Sequence, residues 1–203
     1  EQLVGFAKAN DLIVIQDAAY SALIFEGEPL SFLEVPGAKD VGVELHSHSK
    51  GFNMTGWRIG YAAGPQPIIA AIKKLQSQST SCASSVSQAA ACAALENICE
   101  ELPIMKSEYK KRHDFVVEEL NKINGILCKE TDGTFYVFPS FHEYIKNSKS
   151  INNDNELALY LLNEAKVAVV PGSAFGLEGH IRISIAIDID SLKTAIKRIT
   201  SIL

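Results

Sequence analysis

The stretch that decides the fold is Ser-His-Ser-Lys-Gly-Phe-Asn-Met-Thr-Gly-Trp-Arg-Ile-Gly, residues 47–60. It follows the short run Val-Glu-Leu at 43–45, which is typical of the end of a strand. The stretch combines one lysine, two serines, an arginine and three glycines. A lysine between small hydroxyl residues and glycine suits a solvated helix face poorly. It suits a loop in which backbone and hydroxyl groups bind an anion while the amine meets a carbonyl.

The chemistry of these side chains favours one kind of ligand. The Lys50 amine must be neutral to attack a carbonyl, which requires burial or nearby positive charge. Arg58 could supply that charge and bind a phosphate with two parallel hydrogen bonds, while Ser47 and Ser49 add hydroxyl donors. An amine beside a phosphate cradle suits pyridoxal phosphate. The alternative is a solvated lysine in a Gly/Ser turn, with Arg58 in a surface ion pair.

The same residues carry a resemblance. Residues 47–50 and 53–61 resemble the lysine segment of class I/II aminotransferases, which are fold type I pyridoxal-phosphate enzymes. Residues 43–47 and 36–40 resemble LL-diaminopimelate aminotransferases, which would place the chain in lysine biosynthesis. The resemblance covers essentially the whole chain, yet members of the family are much longer. We therefore expect the C-terminal portion of such an enzyme, or a catalytically incomplete fragment that binds cofactor weakly or not at all.

A second motif lies upstream of the lysine segment. The apolar run 11–16 predicts a strand of a parallel sheet that is buried on both faces. Asp17 follows it, at the strand end where ligands bind in open α/β sheets. Asp17 and Tyr20 resemble the family's Asp-x-x-Tyr, which implies that Asp17 pairs with the pyridine nitrogen and Tyr20 with the phenolic oxygen. The alternative is a capping aspartate and a packing tyrosine.

A third motif lies near the carboxyl terminus. Residues 181–187 alternate, with four isoleucines on one face and Arg182, Ser184 and Ala186 on the other. An arginine in a strand is costly to bury without an anion, and its planar fork suits a carboxylate. Together with the turn at 171–176, Arg182 resembles the family's arginine for the substrate carboxylate. The alternative is an exposed strand face with Arg182 in solvent.

Composition excludes several classes of protein. The chain has 203 residues, is 47% hydrophobic and 21% charged, and has a formal net charge of −5. This predicts no nucleic-acid partner, no membrane span, no signal peptide and a cytoplasmic location. The cysteines, Cys82, Cys92, Cys99 and Cys128, form no C-x-x-C pair, so we expect reduced, buried thiols and no metal.

The remaining pattern predicts further elements. Ser85 and Gln88 have the form of a capping box, and Pro103 predicts a helix start at Ile104 with an end near Asn124. A polar loop is expected over 142–155, then a helix over 156–166 and a final helix capped by Asp190. His46 and His48 lie beside serines, but adjacent residues of an extended segment point to opposite sides. A Ser–His hydrolase is therefore disfavoured.

The predicted fold class is α/β. Residues 1–103 are expected to be part of the mixed, mostly parallel sheet of the pyridoxal-phosphate-binding large domain, and residues 104–203 a small α+β C-terminal domain. The resemblance implies an aminotransferase, a homodimer at full length, that moves an amino group from an amino acid to a 2-oxo acid through a Lys50 aldimine. LL-diaminopimelate is the favoured substrate; aspartate, alanine or an aromatic amino acid are the alternatives.

Overall fold

The computed structural model describes residues 1–97 and 101–203 in full. The chain divides into two compact units, Glu1–Ile104 and Met105–Leu203, called here the first and the second unit. The division falls one residue after the boundary that the sequence predicts between residues 103 and 104.

The first unit is built on a three-stranded sheet with helices around it. Its strands are β1 (Val14–Asp17), β2 (Gly42–Ser47) and β3 (Gly60–Ala63). Its helices are α1 (Gln2–Ala9), α2 (His48–Gly51), α3 (Gln66–Ser79) and α4 (Ser85–Glu96), and α5 (Ile98–Asn121) begins here and ends in the second unit. Single 3-10 turns occur at Ser21–Leu23, Phe32–Glu34, Ala38–Asp40 and Thr55–Trp57.

The direction of the strands brings three strand ends to one edge. The order is β1-β2-β3, with β1 parallel to β2 and β3 antiparallel to β2. Asp17 pairs with Leu45, and Ser47 pairs with Gly60. The edge at which β1 and β2 end and β3 begins is called the site edge. The α/β class is as predicted, and in this sheet one strand pair is parallel and one antiparallel.

Strand β1 is less buried than its sequence predicts. Ile13 and Ile15 are 51% and 65% exposed, and burial alternates along Val14–Asp17 instead of covering both faces. The prediction of a strand buried on both faces is therefore wrong. The reason is that the face of β1 that carries Ile15 is not covered in the part of the chain that the structure describes.

The second unit contains a small antiparallel sheet covered by helices. Its strands are β4 (Tyr136–Val137), β5 (Val170–Pro171) and β6 (Ile181–Ser184), in the order β4-β6-β5. Its helices are α6 (His142–Asn147), α7 (Asp154–Tyr160) and α8 (Ile189–Ile202), with a π-helical turn at Leu161–Ala165 and a 3-10 turn at Gly172–Phe175. The largest buried side chains of its core are Leu120, Phe141, Leu157, Leu161, Ile181, Ile185, Leu192 and Ile199.

The alternation predicted for β6 holds over its length and stops there. Ile181, Ile183 and Ile185 are buried, but Ile187 is 41% exposed because the strand ends at Ser184. The cap of α8 also differs. Asp188, not Asp190, is its N-cap, and its side chain accepts a hydrogen bond from the backbone N–H of Ser191 at 2.8 Å.

Four other predictions differ from the structure. Pro103 lies inside α5 instead of preceding a helix, and α5 ends at Asn121, whose side-chain amide bonds both backbone groups of Cys128 at 2.8 Å. The expected loop over 142–155 contains α6. The capping box does not form, because the Gln88 amide donates to the carbonyl of Ala83 instead.

The cysteines differ in exposure. Cys82 and Cys92 are exposed, against the prediction of buried thiols, whereas Cys128 is buried and its pKa is raised to about 11 by that burial. The Cys99 side chain lies outside the described residues. Within residues 1–97 and 101–203, His, Cys, Asp and Glu side chains form no group of three or more that could hold a metal ion. Along the same residues, none of the helices has the length and apolar character needed to cross a bilayer.

Candidate active site

Six of the seven predicted site residues lie at or just beyond the site edge. Asp17 and Ser47 are the last residues of β1 and β2. Tyr20 follows β1, Arg58 precedes β3, and Ser49 and Lys50 belong to α2, which follows β2 without a gap. The seventh, Arg182, lies in β6 of the second unit. The strand directions therefore bring these six positions together, although they are spread over about forty residues of sequence.

Lys50 is presented by a helix that starts where β2 stops. The Ser47 hydroxyl is the N-cap of α2 and accepts a hydrogen bond from the Ser49 backbone N–H at 3.1 Å. Such a cap satisfies one of the backbone donors that a helix leaves unpaired at its start. The chain turns sharply from strand to helix, and Lys50 is half-buried on the first turn.

Close packing places Lys50 beside Tyr20. A Cβ atom on Gly51 would lie 2.7 Å from the Cβ atom of Ala22, so α2 can approach the turn at Ser21–Leu23 only because residue 51 is glycine. The Nζ atom of Lys50 lies 5.8 Å from the centroid of the Tyr20 ring. The predicted lysine and the predicted tyrosine are thus brought together.

Asp17 lies on the same face of the sheet as Ser47. Asp17 pairs with Leu45, and Leu45 and Ser47 are two residues apart in β2, so the three side chains share a face. The pairing continues past the end of β1, because the Ala18 N–H donates to the Leu45 carbonyl at 2.8 Å. The Oδ1 atom of Asp17 accepts from the Ala19 N–H at 3.2 Å. The side chain is exposed, which leaves the carboxylate accessible.

Arg58 is held in an unusual backbone conformation just before β3. Its φ is 50°, in the left-handed region, and its guanidinium donates to the Thr55 carbonyl at 3.2 Å. The turn at Thr55–Trp57 is tied to α4, because the Ser87 hydroxyl donates to the Trp57 carbonyl at 2.9 Å. Arg58 makes no ion pair with a residue that the structure describes, so the alternative of a surface ion pair is not observed.

A buried carboxylate that the sequence analysis missed supports β2 on the opposite face. Glu44 is 4% exposed and accepts hydrogen bonds from the Ser31 hydroxyl at 2.6 Å and the Leu33 N–H at 2.9 Å. Its second oxygen lies 2.9 Å from Nε2 of His46, whose ring stacks on Tyr61. Burial raises the pKa of Glu44, but these contacts outweigh it, so the pKa lies below its ordinary value. The sequence did contain a signal for this role, because Glu44 is an acid between two apolar residues of a strand.

His48 is buried against aromatic rings. It is 2% exposed, its ring stacks on Phe52 at 4.8 Å, and its edge faces Tyr61 at 5.8 Å. Burial lowers the pKa of His48, so the ring is neutral at pH 7. Because His46 is bound to Glu44 and His48 has no such bond, a Ser–His pair is not formed among the described side chains of this edge.

Arg182 lies close to two aromatic rings in the second unit. Its Cζ atom is 4.5 Å from the centroid of Tyr136 and 4.5 Å from the centroid of Phe175. The guanidinium is half-buried and makes no ion pair with the side chains described here. A guanidinium packed on aromatic rings keeps the N–H donors in its own plane available to an anion. The arrangement differs from the alternative of a fully solvated arginine.

Comparison with known proteins agrees with this geometry. The family model "aminotransferase class I and II" matches residues 1–199. A bifunctional aspartate aminotransferase and glutamate/aspartate-prephenate aminotransferase of Petunia hybrida is 42% identical over 95% of this chain and 42% of its own length. An LL-diaminopimelate aminotransferase of Maridesulfovibrio salexigens is 38% identical over 99% of this chain and 51% of its own. The chain belongs to the class I and II aminotransferase family.

The fold agrees with a solved structure from the same family. The crystal structure of the aspartate aminotransferase from Rhizobium meliloti superposes with a TM-score of 0.90 at 38% identity, over 98% of this chain and 51% of that one. The predicted α/β fold of the fold type I aminotransferases is therefore confirmed. The chain spans about half the length of the curated relatives that it matches.

Proposed function

We propose that this chain is the C-terminal portion of a pyridoxal-phosphate-dependent aminotransferase, which moves an amino group from an amino acid to a 2-oxo acid. The observation that carries the proposal is the position of Lys50. It follows β2 directly, lies 5.8 Å from the Tyr20 ring, and shares the site edge with Asp17 and Arg58. In this proposal residues 1–103 belong to the cofactor-binding domain and residues 104–203 form the small domain.

The side chains at the site edge fit pyridoxal phosphate in kind. The Lys50 amine suits the aldehyde, and the exposed Asp17 carboxylate suits the pyridine nitrogen. Ser47, Ser49 and Arg58 offer hydroxyl, backbone and guanidinium donors to the phosphate. Gly60 permits close backbone approach here, since a Cβ atom on it would lie 2.5 Å from the His46 carbonyl oxygen. The cofactor, when bound, supplies a ring that withdraws electrons from the substrate carbon.

The chain's own residues then have separate tasks. With the cofactor bound, Nζ of Lys50 would take the proton from the substrate Cα as general base and deliver it to the cofactor carbon as general acid. The Asp17 carboxylate holds a proton on the bound pyridine nitrogen, and Tyr20 hydrogen-bonds the phenolic oxygen. Arg182, in the second unit, binds the substrate α-carboxylate through its planar edge. We propose a homodimer for the full-length protein.

We propose first a class of substrate and then a particular substrate. A dicarboxylic amino acid is supported by relatives of both kinds, since aspartate and LL-diaminopimelate aminotransferases are each more than 35% identical to the chain. LL-diaminopimelate is our first candidate, on the residues that precede the lysine segment, and aspartate the second. A half-reaction screen decides between them: loss of the cofactor's absorbance with aspartate and none with LL-diaminopimelate would eliminate the first candidate.

The proposal is tested by absorbance and reduction. The purified chain is mixed with pyridoxal phosphate, and its absorbance is recorded near the edge of the visible range. The sample is then reduced with borohydride, and the modified residue is located by peptide mass spectrometry. We expect a modified Lys50, no modification at that position in Lys50→Ala, and a wild-type result in Lys73→Ala, which changes an exposed lysine of α3. A colourless sample with unmodified Lys50 would instead establish the catalytically incomplete fragment.

A further inference from the structure

Arg182 is oriented by two rings that come from different parts of the second unit. Tyr136 belongs to β4 and pairs with Ser184 in the sheet, so the ladder that contains Arg182 also fixes this ring. Phe175 ends the 3-10 turn Gly172–Phe175, outside the sheet. Both ring centroids lie 4.5 Å from Cζ of Arg182. The orientation of the guanidinium therefore depends on both rings. The sheet fixes Tyr136, whereas Phe175 must be fixed by its turn.

The Phe175 ring is not held by burial. It is 49% exposed, so apolar packing alone does not determine where it lies. Its edge-to-face contact with Phe138, at 6.1 Å between centroids, is a second weak restraint. The position of the ring must therefore come largely from the backbone of its own turn.

That backbone is anchored by Asp154. Its Oδ2 atom accepts a hydrogen bond from the Ser173 N–H at 2.7 Å, and the neighbouring Asn155 amide donates to the Ser173 hydroxyl at 3.1 Å. Asp154 is 1% exposed. It does not cap α7, because Asn153 does so by accepting from the Glu156 N–H at 2.9 Å. A buried carboxylate at a helix start, not used as the cap, is thus directed at the turn.

The charge state of Asp154 agrees with this role. Burial raises the pKa of its carboxyl, but hydrogen bonds from Ser173 outweigh that effect and hold the pKa below its ordinary value. The group is ionised at pH 7, and a charged acceptor holds a backbone N–H more strongly than a neutral one.

We propose that Asp154 is a positioning residue for Arg182. Asp154 fixes the backbone of Ser173, and through it the Phe175 ring, which in turn fixes the orientation of the Arg182 guanidinium. Asp154 does not touch the substrate in this proposal. The part that concerns substrate binding rests on the proposed function of Arg182, whereas the part that concerns the Arg182 plane does not.

The first measurement needs no ligand. In ¹⁵N-labelled chain, the Nε–H signal of Arg182, assigned with Arg182→Lys, should be shifted by the ring currents of Tyr136 and Phe175. Asp154→Ala should move that shift part of the way toward the free-arginine value, because the Tyr136 ring stays in place, and Phe175→Leu should do so as well. Asp188→Asn is the matched control, since it weakens a cap aspartate of α8 and should leave the shift unchanged. A wild-type Arg182 signal in either Asp154→Ala or Phe175→Leu overturns the proposal.

The second measurement uses succinate, an unreactive dicarboxylate. We expect the wild-type chain to bind it at Arg182, Asp154→Ala to bind about tenfold more weakly, and Asp154→Asn, which keeps one acceptor, to fall between them. If the wild-type chain and Asp154→Ala bind succinate equally well, the positioning role of Asp154 fails and the proposed function of Arg182 stands. If the wild-type Arg182 signal does not respond to succinate, the proposed function of Arg182 fails, and the ring-current result alone decides the role of Asp154. Asp154→Asn, which keeps one acceptor and the size of the side chain, provides the same test if Asp154→Ala does not fold.

Discussion

Gly51 and Ala22 face each other so closely that a methyl group on Gly51 would lie 2.7 Å from the Cβ atom of Ala22. Carbon atoms in van der Waals contact are separated by roughly 3.5–4.0 Å, so residue 51 has room for hydrogen only. This contact joins the helix that carries Lys50 to the turn that follows Tyr20. The relative position of the proposed catalytic amine and the phenol ring is therefore set by the absence of one methyl group.

Gly51→Ala should separate these two elements. We expect a loss of about 1–3 kcal/mol in the free energy of unfolding from overpacking and, because Lys50 and Tyr20 move apart, weaker binding of pyridoxal phosphate. Chemical denaturation and an absorbance titration measure the two effects. Gly56→Ala is the matched control, since a Cβ atom there meets nothing within 4 Å. Equal cofactor affinity in the two variants would show that the close contact has no part in arranging Lys50.

Glu44→Gln tests the buried carboxylate behind β2. The amide oxygen can still accept from Ser31 and Leu33, but it carries no charge, and an NH2 group replaces the oxygen that faces Nε2 of His46. We therefore expect a loss of about 1–3 kcal/mol in unfolding free energy at pH 7. Glu34→Gln, which changes an exposed acid of the same region, should cost less than about 0.5 kcal/mol.

The same residue should contribute to acid unfolding. Because the folded pKa of Glu44 lies below its ordinary value, the stabilisation it provides is present above the unfolded pKa of about 4.3 and is lost as pH falls through the folded pKa. Wild type should lose stability in this range more steeply than Glu44→Gln, as measured by urea unfolding at a series of pH values. Parallel curves for the two proteins would contradict an ionised Glu44 in the folded state.

The start of α8 is tested by two neighbouring acids. Asp188→Ala removes the side chain that accepts from the Ser191 N–H and should cost about 1 kcal/mol of unfolding free energy. Asp190→Ala removes an exposed first-turn acid and should cost less than about 0.5 kcal/mol. Thermal or urea unfolding measures both, and a larger loss for Asp190→Ala would reverse the assignment of the cap.

Thiol reactivity should differ sharply between Cys128 and the exposed cysteines. The thiolate is the reactive form, and burial raises the pKa of Cys128 to about 11. In the folded chain at pH 8, a maleimide should label Cys82 and Cys92 and leave Cys128 unlabelled, as peptide mass spectrometry can show. In denaturant Cys128 should react as well; labelling in the folded chain would mean that its site opens readily.

The elements that were predicted well depend on local sequence. The strand before Lys50 and the alternation that buries Ile181, Ile183 and Ile185 both follow from neighbouring residues. At Lys50 itself a loop was predicted, and residues 48–51 instead form the short helix α2. Asp188 and Asp190 show the limit of such patterns. Two acids within one turn both fit a helix start, and only the backbone geometry distinguishes them.

The features that were missed depend on residues far apart in the chain. Glu44 finds its partners 13 and 11 residues away, and Asp154 finds its partner 19 residues away. Burial of Ile15 depends on what covers its strand, which an apolar run does not encode. The antiparallel direction of β3 is likewise a property of pairing, yet it is what places Arg58 at the site edge.

The antiparallel course of β3 has a consequence for how the site edge assembles. The chain leaves β2 at Ser47 and returns opposite it at Gly60, so Ser47, Lys50 and Arg58 lie within one short closed loop. Closing a loop of this length loses little chain entropy, whereas bringing β1 alongside β2 closes a loop from Val14 to Gly42, which loses more. Damage to the β1–β2 ladder should therefore release Asp17 and Tyr20 first and leave the phosphate-binding half of the edge intact.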